Sequence, residues 1–98
     1  MDKQQIIDYV RGLTNYFGGL ADSEDPQVNA NSFVWNLGLF MANQLLRLAQ
    51  ANSPDVEELK LLVKVLEEGD LGSGWFDLTL QAQNLLKLYN ENLPGGKF

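Results

Sequence analysis

A chain of 98 residues that is 45% apolar and 20% charged has the composition of one globular domain with a modest core. Cysteine and histidine are both absent, which removes disulfides, thiolate metal sites, the commonest metal ligand and the usual general base near neutral pH. The net charge of −6, with seven basic residues scattered in no run, argues against a phosphate-binding surface and so against nucleic acid.

Four segments with helical periodicity follow one another along the chain. The first is predicted from about Lys3 to Phe17, with Ile6, Ile7, Val10, Leu13 and Phe17 on one face and Gln4, Asp8, Arg11 and Asn15 opposite. Gly18-Gly19 is expected to end it, because glycine just past a helix reaches φ > 0 without strain. The acidic stretch from Gly18 to Ala30 then reads as a loop with Pro26 inside it.

The second helix is predicted from about residue 30 to 51, starting at Asn29, Asn31 or Ser32. In the third, Ser53 is the expected N-cap and Pro54 the first helical residue, with Asp55, Glu57 and Glu58 complementing the dipole. Its inward stripe is Val56, Leu59, Val63 and Leu66, and Gly69 is its C-cap. The fourth begins between Ser73 and Asp77, reaches about Asn90, and turns Trp75, Leu78, Ala82, Leu85 and Tyr89 inward. Strand signals are weak. The reading is an all-α four-helix bundle, mostly antiparallel, with the second helix central. A single helical domain occupies 1–93, and 94–98 form a flexible C-terminal tail.

The second helix is unusually apolar. At 100° per residue, Asn36, Asn43, Arg47 and Gln50 make a thin polar stripe, and Val34, Gly38, Leu45 and Ala49 centre the apolar arc. Trp35, Leu39 and Leu46 form one shoulder; Phe33, Leu37 and Phe40 form the other. An arc of about 100° suffices for packing on a core, and this one is more than twice as wide. Gly38 and Ala42 would admit a close neighbour. Two readings account for the surplus: the helix is central and buried by the other three, or part of the arc, at the Trp35 or Phe40 shoulder, lies at an interface with another chain. Leu61 with Val65, and Phe76 with Leu80, add apolar pairs off the main stripes of their helices.

Chemical motifs are few. The loop from Gly69 to Phe76 has the glycine spacing of a phosphate-binding loop but lacks its Lys and Ser/Thr, so it reads as a turn. Its glycines would let Leu71 and Trp75 fold inward as a clasp, with Asp70 or Ser73 capping the next helix. Asp22, Glu24 and Asp25 match no calcium loop. No serine has a histidine to activate it. Tyr9 and Tyr16, seven apart, read as rim residues of the first helix.

These observations predict a small non-enzymatic protein acting by protein–protein contact, as a homodimer or with another protein. It needs no cofactor or metal and binds neither nucleic acid nor membrane. The N-terminus lacks the order of a secretion signal and no apolar run reaches spanning length, so the cytoplasm is the expected location. The expected interface residues are Phe33, Trp35, Leu39, Phe40, Phe76 and Leu80. The alternative is a carrier of an apolar small molecule, held between helices by Trp75, Met41 and neighbouring leucines.

Overall fold

The computed structural model describes residues 2–69 and 72–92. Four long helices and one short one account for nearly all of them: α1 (Lys3–Ala21), α2 (Pro26–Asn29), α3 (Ser32–Gln50), α4 (Val56–Glu68) and α5 (Ser73–Asn92). There is no strand among the described residues. The expected tail at 94–98 lies outside them, as do Asp70 and Leu71 of the predicted turn.

Local contacts fix the directions of the helices. Lys3 Nζ donates to the Ala51 carbonyl at 3.2 Å, which joins the start of α1 to the end of α3. Arg47 pairs with Glu58 where α3 gives way to α4. Trp75 Nε1 donates to the Leu66 carbonyl at 2.9 Å, which joins the end of α4 to the start of α5. The long helices therefore alternate up and down, as short links between helices require. The closest packing is between α1 and α3, and α3 also meets α5 across the diagonal. Among neighbouring long helices, α3 and α4 touch least.

The buried faces of α1 and α5 are those the periodicity predicts, and in α4 Leu62 joins the predicted stripe while Val56 is only partly buried. Ile6, Ile7, Val10, Leu13 and Phe17 of α1 join Leu59, Val63 and Leu66 of α4 and Trp75, Leu78, Ala82, Leu85 and Tyr89 of α5 in one cluster. From α3 it receives Met41, Ala42, Leu45, Leu48 and Ala49. The close neighbour admitted at Gly38 is the Phe17 ring rather than a backbone: a Cβ there would lie 2.5 Å from it.

The ends differ from expectation in three places. Gly18-Gly19 does not stop α1, which runs on to Ala21 and closes when the Asp22 amide donates to the Gly18 carbonyl and the Ser23 amide to the Leu20 carbonyl. Glycine inside a helix costs only about 1 kcal/mol, and Gly18 sits in ordinary contact with Leu39. The acidic loop contains α2, with Asp25 accepting from Gln27 N and Pro26 at the first helical position. The cap of α4 is Asp55, not Ser53: its carboxylate accepts from Glu58 N at 3.1 Å, so Pro54 lies outside the helix. In the turn before α5, Gly72 has φ 103°, a conformation that suits glycine. Gly69 and Gly74 serve a different purpose, since a Cβ on either would strike an aromatic ring, that of Trp75 or those of Tyr16 and Phe17.

The last carbonyls of α3 have no partners within their own helix, and Tyr89 supplies one by donating its hydroxyl to the Leu48 carbonyl at 3.1 Å. Burial pushes the Tyr89 phenol above its usual pKa. The neutral form is therefore favoured when folded. That contribution is complete below the unfolded value of about 10 and is lost as pH rises through the folded value. Tyr89→Phe is expected to cost about 0.5–1.5 kcal/mol at neutral pH and to flatten the fall in stability above about pH 10. Urea unfolding of both proteins at neutral pH and at a series of pH values rising above about 10 checks both effects.

Candidate functional site

The two shoulders of α3 have different fates. Trp35 and Leu39 are partly buried against the core of their own chain. The Trp35 indole also donates to the Val28 carbonyl at 2.9 Å, holding α2 against the start of α3. The other shoulder turns outward: Phe33 and Phe40 are both exposed, while Leu37 between them packs partly on the core.

Phe40 lies beside a concavity. Because α3 and α4 make little contact, a groove of ≈ 360 Å³ runs between them. Met41, Leu48 and Leu62, all core residues, line its floor. Phe40, Leu61 and Val65 stand around it with exposures of 56%, 65% and 52%. Gln44 and Glu58 are its polar edge, and the Glu58 charge is met by Arg47. The face is thus apolar and close to neutral, although the chain as a whole is acidic. Three of the acids sit together in the loop of Asp22, Glu24 and Asp25 at the far end of α3.

The remaining expected interface residues lie elsewhere. Phe76 borders a separate hollow with Leu66, Gly69, Trp75 and Thr79 on the α4–α5 side, and Leu80 is exposed one turn further along α5. The six residues therefore do not form one patch. Phe40 is joined by Leu61 and Val65, which sequence marked as off-stripe without linking them to it. Trp75 and Met41 line different grooves. Trp75 is itself buried, its N–H donating to the Leu66 carbonyl.

A second groove, of ≈ 400 Å³, follows the α1–α5 seam, with Tyr9 and Tyr16 on α1 and Asp77 on α5. Sequence gave little sign of it, because its parts come from opposite ends of the chain. Among the described residues, no three acidic side chains gather where they could hold a metal ion, and no helix is long and apolar enough to cross a membrane.

The chain matches no family model, and no curated protein and no solved structure is significantly similar to it.

Proposed function

We propose that the protein works by protein–protein contact, and that the α3–α4 face joins two copies of the chain. The observation that carries this reading is the placing of a knob beside a hole on one face: Phe40 projects next to the groove lined by Met41, Leu48 and Leu62. A twofold axis through such a face lets each copy insert its Phe40 into the other's groove, so that one surface serves as both partners. Leu61 and Val65 extend the apolar contact, and contiguous apolar surface of this kind marks interaction sites. The Arg47–Glu58 pair at the edge limits repulsion between two acidic molecules. The same reading sets the protein in the cytoplasm, acting through docking without chemistry or cofactor.

Sedimentation equilibrium at a series of concentrations is the direct test. The expected result is a reversible species of twice the 11.0 kDa chain mass. A monomer that persists at high micromolar concentration would end the homodimer reading. Native mass spectrometry separates the alternative: an adduct held at monomer mass assigns the groove to an apolar small molecule instead.

A further inference from the structure

The α1–α5 groove lies on the seam opposite the α3–α4 face and has a different chemistry. Tyr9 and Tyr16 are two helical turns apart on the same face of α1, about 10.5 Å along the axis. Between them Gly12 leaves a notch, since a Cβ placed there would meet nothing within 4 Å. Both rings are exposed. The Tyr16 ring is steadied by an edge contact with Phe17 at 5.3 Å between centroids, and by Gly74, whose missing Cβ makes room for it.

Acidic groups close the groove. Asp8 lines it from α1, sharing its charge with Arg11 at 3.9 Å and accepting from Gln4 at 2.9 Å. Asp77 lines it from α5 and has no ion-pair partner among the described residues.

We infer that this groove binds the side chain of an arginine presented by a partner protein. Two aromatic walls and a carboxylate without a counter-ion match a guanidinium. The cation is planar, is weakly hydrated, stacks on aromatic faces and forks its N–H groups onto carboxylates. The aliphatic stem would lie in the Gly12 notch. A net charge of −6 draws such a partner in. Because the α3–α4 face is on the other side of the bundle, occupancy of one site does not block the other, and this inference holds whether or not the chain dimerises.

The test is an amide chemical-shift titration of the intact protein with N-acetyl-arginine methylamide, using the citrulline analogue as its uncharged counterpart. Saturable shifts are expected at Tyr9, Gly12, Tyr16, Gly74 and Asp77 with arginine only, weakening as salt is added. Asp77→Asn should weaken binding about tenfold, and Tyr9→Leu about threefold or more. Gly12→Leu should abolish it by filling the notch, while leaving the α1 helix intact because leucine is the better helix former. Equal response to citrulline, shifts scattered over the surface, or undiminished binding by folded Gly12→Leu protein would each overturn the inference.

Discussion

Replacing Phe17 with alanine is expected to destabilise the fold by about 3–5 kcal/mol, a large part of the roughly 5–15 kcal/mol that a domain of this kind possesses. Phe17 is 2% exposed and sits where three helices meet. Its ring fills the place of a side chain on α3, where a Cβ at Gly38 would come within 2.5 Å, and on α5, where a Cβ at Gly74 would come within 2.9 Å. Removing the ring therefore opens a space against two backbones, and helices cannot collapse into a gap as a flexible side chain can.

The same geometry makes Gly38→Ala destabilising by about 1–3 kcal/mol through overpacking, although alanine gains about 1 kcal/mol over glycine in helix propensity. Gly19→Ala is the control: its Cβ meets nothing within 4 Å, so it should stabilise by up to about 1 kcal/mol. Residues in contact do not act additively, so Gly38→Ala should cost less when Phe17 has already become leucine. Urea midpoints at one protein concentration measure every variant, with Phe17→Leu alone as the reference for the double variant. A Gly38→Ala protein as stable as Gly19→Ala would show that the ring moves aside freely, and the three-helix junction would lose its basis.

That junction also explains what could be read from sequence. Each long helix except α3 has one clear apolar stripe, so periodicity identified its buried face, and every stripe residue of α1 and α5 is in the core. For α3 periodicity left the rotation undecided, because both shoulders are apolar. The rotation is set by a contact between Phe17 and Gly38, far apart in sequence, and that contact turns Trp35 inward and Phe40 outward.

Helix ends were harder for a local reason. Asp25-Pro26 and Ser53-Pro54 carry the same cap-then-proline signal, but only the first starts a helix. In the second, Asp55 takes the cap, its carboxylate accepting from the Glu58 amide three residues on. Grooves were harder still. Leu61 and Val65 could be marked as surplus, but their meeting with Phe40 depends on how far α3 and α4 separate. Tyr9 and Tyr16 are exposed, as their rim reading expects, but the approach of Gly74 and Asp77 of α5 to them depends on tertiary packing.

The proposed dimer makes a sharper demand of Phe40. In a twofold contact each copy contributes one such ring, so Phe40→Glu removes two and buries two carboxylates against apolar floors. Central aromatic residues of interfaces are worth about 2 kcal/mol or more each. The pair thus corresponds to about 4 kcal/mol, or roughly a thousandfold in Kd. The folded monomer should hardly change, because Phe40 is already 56% exposed and surface substitutions usually stay within about 0.5 kcal/mol.

Trp35→Ala should do the reverse, losing stability with its bond to the Val28 carbonyl while leaving association intact. Phe33→Glu, exposed but away from the groove, should weaken association far less. If Phe76→Glu separates the copies and Phe40→Glu does not, the contact belongs to the α4–α5 side. Leu61→Lys placed in the Phe40→Glu chain then tests the symmetry itself. With Phe40 of one copy seated beside Leu61 of the other, the new charges pair across the axis and part of the association returns, whereas a contact without that crossing gains nothing.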